Sequence, residues 1–153
     1  MIPVGQPAPD FTAPTDEGTV TLSALAGQHV VLYFYPKDST PGCTVEAQGF
    51  RDLHAQFLAK GAVVLGVSRD PVKKHRSFKA KECLPFTLVT DEATDEGGVC
   101  GLYGAWREKK LYGRAYMGIA RVTYLIGPDG LVKAAWDPVK PEGHAAQVLA
   151  AIG

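Results

Sequence analysis

The chain has 153 residues, 46% of them apolar and 21% charged, which suffices for one domain with its own core. Its 16 basic and 16 acidic residues cancel, so neither a nucleic acid nor an anionic membrane is expected as a partner. No apolar run approaches the length needed to cross a bilayer.

Residues 1–29 are rich in Pro, Gly and Thr, and Asp16-Glu17-Gly18 reads as a hairpin turn leading into Thr19-Val20-Thr21. The run Val30-Val31-Leu32-Tyr33-Phe34 predicts a buried strand over 30–35. A long helix is predicted over 42–59, with Phe50, Leu53 and Phe57 on one face and Gly61 as its stop. Thr40 is placed at its N-cap and Pro41 at its first position. Residues 62–67 read as a second buried strand, Pro71 opens a helix that runs to Lys81, and 87–89 form a short strand. A short helix is expected within 92–104. Residues 105–118 read as a loop with aromatics, of which Trp106 and Tyr112 are expected to pack in the core, with lining an approach to the site as the alternative. Strands at 122–126 and 131–136 are joined by Gly127-Pro128-Asp129-Gly130, a hairpin with a bulge at the glycine. A last helix covers 142–151. The order begins βαβ, which implies a parallel pair, and ends on an antiparallel hairpin and a helix. By itself this supports a single α/β domain.

The chemistry concentrates in Tyr35-Pro36-Lys37-Asp38-Ser39-Thr40-Pro41-Gly42-Cys43-Thr44. Cys43 falls in a first helical turn, where unpaired N–H groups and the positive end of the helix dipole favour a thiolate. It is a candidate nucleophile. The alternative is a small buried hydrophobe beneath a helix start.

The string Pro36-x-x-x-Thr40-x-x-Cys43 resembles the active-site motif of the peroxiredoxins, and 34–47 as a whole resembles their bacterioferritin comigratory protein, or peroxiredoxin Q, branch. Gly5-x-x-Ala8-Pro9-Asp10-Phe11, Gly66–Asp70, Leu84–Asp91 and Gly118–Ile126 resemble further segments, so the similarity spans nearly the whole chain. The resemblance implies that residues 1–153 form one thioredoxin-like domain, a central mixed sheet flanked by helices. It implies a thiol peroxidase acting on hydrogen peroxide and organic hydroperoxides, recycled by thioredoxin or a similar thiol donor, monomeric and without a cofactor. Cys43 takes the role of peroxidatic nucleophile, oxidised to a sulfenic acid. Arg121 matches the family's active-site arginine and supplies permanent positive charge. Thr40 matches its hydroxyl, and Pro36 shapes the loop and shields the site. Glu46, one turn after Cys43, supports these from behind or complements the helix dipole.

The chain departs from the family in its second cysteine. Many relatives carry a resolving cysteine five residues after the nucleophile, where this chain has Gln48, so no disulfide forms within the first helix. Some relatives place it on the following helix, at a position that aligns near Lys79, one turn before Cys83. Cys83 is therefore assigned as the resolving residue, with Cys100 as the alternative and an external thiol as a third route. Either internal bond requires the helix start at Cys43 to unwind locally.

Three widely spaced cysteines do not make a secreted disulfide framework. The opening Met1-Ile2-Pro3-Val4 lacks a signal peptide's basic start and long apolar stretch, so a cytoplasmic location is expected. His29, His54, His75 and His144 have no metal-ligand spacing, and no metal is expected. His54 shares a face with Cys43 but lies three helical turns away, too far to act as its base. Two other readings remain. A disulfide oxidoreductase would need Cys-x-x-Cys, and Glu46 occupies the second position. A redox sensor would form the sulfenic acid without fast turnover.

Overall fold

The computed structural model describes residues 1–153. Thr12–Thr15 (β1) and Gly18–Thr21 (β2) form the expected opening hairpin, followed by a 3-10 turn at Leu22–Leu25 that the sequence did not announce. His29–Phe34 (β3) leads to helices Pro41–Asp52 (α1) and His54–Ala59 (α2), then Ala62–Ser68 (β4), Val72–Glu82 (α3) and Thr87–Thr90 (β5). Gly98–Leu102 (α4), the strands Trp106–Leu111 (β6) and Arg114–Ile119 (β7), the strands Val122–Ile126 (β8) and Val132–Trp136 (β9), and His144–Ile152 (α5) complete the chain.

Seven strands make one mixed sheet in the order β2-β1-β5-β4-β3-β8-β9. The β3–β4 and β4–β5 pairs are parallel. A parallel step needs a long crossover, which α1 with α2 provides in the first case and α3 in the second. Alternation along β3 divides the core in two. Val30, Leu32 and Phe34 face one side with Phe11, Val99, Cys100 and Tyr124. Val31, Tyr33 and Tyr35 face the other with Cys43, Phe50, Phe57, Phe78 and Val148. This helix-flanked mixed sheet is the thioredoxin-like arrangement that the resemblance implies.

Two elements differ from the sequence-based expectation. The long helix is broken at Leu53 (φ −103°, ψ 6°). Phe50 and Phe57, both buried, are seven residues apart and would share a face of an unbroken helix, so the apolar pattern conceals the break. Residues 105–118 are not a loop but mostly a two-stranded ribbon, β6 paired with β7. Its turn is Tyr112-Gly113, both in the left-handed region (φ 50° and 78°), as a two-residue hairpin turn of this kind requires. Arg107, Glu108, Lys109 and Lys110 run consecutively along β6, so apolar alternation is absent and periodicity was silent. Tyr112 is 96% exposed at the tip and belongs to no core. Trp106 lies under the Arg69 guanidinium, 3.7 Å from ring centroid to carbon.

The hairpin at 127–130 forms as expected, with Gly130 (φ 81°) in the left-handed position and a register shift between Leu125 and Ile126. No helix is long and apolar enough to cross a membrane.

Candidate active site

Strand β3 ends at Phe34, Tyr35 just beyond it still donates its N–H to the Val67 carbonyl at 3.1 Å, and half-buried Pro36 follows. The chain then turns through Ser39, whose left-handed φ of 61° is unusual for a residue other than glycine. Thr40 is extended (φ −93°, ψ 154°) at the N-cap with Pro41 next, as expected, and its carbonyl accepts the first helical hydrogen bond from the Thr44 N–H at 2.9 Å. Its hydroxyl does not cap the helix. It donates to the Lys37 carbonyl at 2.7 Å and so ties the loop to itself. Cys43 follows in the first turn and is buried.

Arg121 reaches this point through sheet topology. Antiparallel pairing of β3 with β8 sets Phe34 opposite Val122, so the residue before Val122 lies beside the start of the loop. The Arg121 Nη2 donates to Cys43 Sγ at 3.4 Å, and its Nη1 donates to Glu46 Oε1 at 2.7 Å. Cys43 and Glu46, three residues apart, share one face of α1. A single planar guanidinium thus spans both, which a lysine ammonium could not do.

Burial raises the Glu46 carboxyl to about 7, against the opposing pull of Arg121. Its Oε2 is buried without a hydrogen-bond partner. Burial, with Glu46 and Cys43 behind it, also pushes the Tyr33 phenol up, and the Tyr33 hydroxyl is likewise unpartnered. Lys109 of β6 lies in the same field. Burial lowers its pKa first, Arg121 lowers it further, and Cys43 opposes both. The ribbon therefore flanks the site. Lys109 escaped sequence reasoning because the ribbon did; the Tyr112-Gly113 pair was the one local signal for it.

The five loop, helix and strand residues expected in the site, Pro36, Thr40, Cys43, Glu46 and Arg121, come from one loop, the helix it opens and the adjoining strand start. Cys83 and Cys100 lie apart. Cys83 is exposed and forms the left-handed C-cap of α3 (φ 54°). Cys100 is buried in the core on the far face of the sheet from Cys43, and burial with the Asp91 carboxylate pushes its thiol far up. His54 opens α2 beyond the helix break, its ring packed on Phe86 with centroids 6.2 Å apart.

Gly42 packs tightly on this arrangement. A Cβ there would sit 3.1 Å from Arg121 Nη2 and 3.6 Å from Pro141 Cγ. Gly42→Ala is expected to slow the reaction of Cys43 about tenfold by displacing the guanidinium, with thermal stability unchanged or slightly raised. Parallel peroxide kinetics and thermal melts would check both halves.

The sequence model of the AhpC/TSA family matches residues 4–135. A putative peroxiredoxin Bcp of Coxiella burnetii is 52% identical, with 97% of each chain covered. Peroxiredoxin Bcp of Bacillus subtilis is 47% identical over 97% of this chain and 93% of its own. Among solved structures, the bacterioferritin comigratory protein of Xanthomonas campestris superposes with a TM-score of 0.89 at 44% identity, covering 98% of this chain and 97% of that one. Peroxidoxin BcpB of Mycobacterium tuberculosis does so with a TM-score of 0.85 at 33% identity, covering 99% and 97%. With the family model matching most of its length, relatives of 47–52% identity covered almost end to end and solved structures of the same fold, the chain belongs to the AhpC/TSA family, in the bacterioferritin comigratory protein or peroxiredoxin Q branch of the thiol peroxidases.

Proposed function

We propose that this chain reduces hydrogen peroxide and organic hydroperoxides through a sulfenic acid at Cys43, resolved by Cys83 and recycled by a thioredoxin-type dithiol in the cytoplasm. The observation that carries this is the Arg121 guanidinium, which donates to both Cys43 Sγ and Glu46. The Cys43 thiolate attacks one peroxide oxygen. An S–O bond forms from the sulfur pair while the O–O bond breaks, and the departing oxygen takes a proton to leave as water or alcohol. Sulfur is oxidised and the peroxide reduced. Arg121 partners the anionic sulfur before attack and the charge on the departing oxygen during it. Thr40 and Pro36 hold the loop, and Glu46 orients the guanidinium. Alkyl peroxide reduction is an activity of the Xanthomonas campestris relative, which supports the hydroperoxide class. The whole chain, 1–153, acts as one monomeric peroxidase domain.

In the resolving step the Cys83 thiol attacks the Cys43 sulfur. An S–S bond forms, the S–O bond breaks, and hydroxide leaves with the Cys83 proton as water. Cys83 is favoured over Cys100 because it is exposed and needs no passage through the sheet. Its left-handed backbone and that of Ser39 each hold strain that unwinding would release. Both ends of the bond are therefore poised to open.

One equivalent of hydrogen peroxide followed by peptide mapping without reduction tests the cycle. A Cys43–Cys83 peptide is expected, and Cys83→Ser should leave a trappable sulfenic acid at Cys43. A Cys43–Cys100 peptide would reassign the resolving residue. Cys43 unmodified, with peroxide unconsumed, would sink the peroxidase reading. Unchanged amide exchange over 40–48 on oxidation would refute the unwinding step.

A further inference from the structure

The loop that carries Cys43 is pinned from below by a buried network that the chemistry above does not use. Asp38 is buried, and its Oδ1 accepts from the Tyr35 hydroxyl at 2.5 Å. Its Oδ2 lies 2.7 Å from Nδ1 of His75, a fully buried histidine on α3. The Asp38 N–H donates to Asp70 Oδ2 at 2.8 Å, which also accepts from Ser68 Oγ at 2.6 Å. The other ring nitrogen of His75, Nε2, sits 3.1 Å from the Val89 carbonyl. The loop is thereby attached to the ends of β4 and β5 and to α3.

Proton counting fixes the character of this pair. A carbonyl only accepts, so Nε2 carries a proton. Two facing lone pairs at 2.7 Å would repel, so one further proton lies between Nδ1 and Oδ2. Asp38 and His75 thus share a single proton and form a closed unit. Asp38, Asp70 and His75 offer donor atoms within 4.8 Å of one another. Those atoms are already engaged with protein partners, so the trio is a hydrogen-bond network rather than a cation site.

We infer that Asp38 and His75 are positioning residues, a clasp that holds the Cys43 loop closed on α3. Helix α3 carries the clasp's His75 and is capped by Cys83, eight residues or about 12 Å along the axis from it. The closed clasp keeps Cys43 aligned with Arg121 for attack on peroxide. It opposes the loop opening that brings Cys43 to Cys83. The clasp therefore trades the first step against the second. This inference rests on the two-cysteine reading above.

The physics of buried pairs supplies the test. Removing one partner strands the other, whereas removing both for apolar groups leaves folding nearly intact. His75→Leu alone and Asp38→Ala with His75→Leu would be compared with the unaltered chain. Stopped flow would follow Cys43 oxidation and Cys43–Cys83 bond formation as separate phases. In both variants oxidation is expected to slow about tenfold and disulfide formation to quicken several-fold. The double variant strands only neutral groups, the Tyr35 hydroxyl and the Val89 carbonyl, and should do so at a melting temperature above that of His75→Leu alone, which leaves the Asp38 carboxyl without its histidine. A residue that merely stabilised the fold would not move the two steps in opposite directions. Unchanged rates in the double variant, or both rates lowered together, would overturn the clasp while leaving the peroxidase reading intact. An unaltered chain that forms no Cys43–Cys83 bond would overturn the reading beneath it.

Discussion

Arg121→Met is expected to slow the oxidation of Cys43 by hydrogen peroxide by about 10²–10³-fold. Methionine keeps much of the apolar stem but removes the donor at 3.4 Å from Sγ and the only cation bonded to Glu46. Arg121→Lys should recover little, because a point charge cannot fork to two partners on one helix face. The folding cost is smaller than for an ordinary stranded ion. Burial already holds Glu46 near 7 with its cation present, so without Arg121 it takes up a proton and stays neutral at pH 7. Adding Glu46→Gln to Arg121→Met should then restore stability and leave the rate low. Cys43→Ser sets the zero for these measurements. A loss below about threefold for Arg121→Met would mean that the guanidinium is not the sulfur's working partner.

The site was legible where its chemistry is local. A buried strand, a Pro/Thr-rich turn and Pro41 at a helix start place Cys43 in a first turn without reference to any other protein. Arg121 was legible only through the family resemblance. It lies 78 residues from Cys43, and the antiparallel pairing of β3 with β8 that joins them leaves no mark on spacing. His75 and Asp38 are 37 residues apart and meet only because α3 packs over the ends of β4 and β5. A histidine among lysines and arginines on α3 reads as part of a solvated face. The Leu53 break was hidden for the opposite reason: the apolar stripe continues across it. The β6–β7 ribbon was missed because its strands are charged and exposed, and backbone pairing around a left-handed turn holds it rather than an apolar face.

Glu46 should also leave its mark on stability as a function of pH. Its carboxyl titrates at about 7 in the folded chain, with burial as the chief cause, against 4.5 in the unfolded chain. Between these values the folded state holds a proton that the unfolded state does not. Stability therefore falls as pH rises. The contribution is fully present below pH 4.5 and is lost as pH passes through about 7. A gap of this size corresponds to about 3 kcal/mol. Urea unfolding of the unaltered chain and of Glu46→Gln, each at several values between pH 4.5 and pH 8, isolates the term because other titrating groups cancel in the difference. The unaltered chain should lose about 3 kcal/mol relative to the variant across that range. A flat difference would mean that Arg121 outweighs burial and keeps the carboxylate ionised throughout. The direction bears on catalysis, since an ionised Glu46 places a second anion on the guanidinium that Cys43 uses. Below pH 7 the whole positive charge of Arg121 is left to the sulfur, and above it that charge is divided between the two.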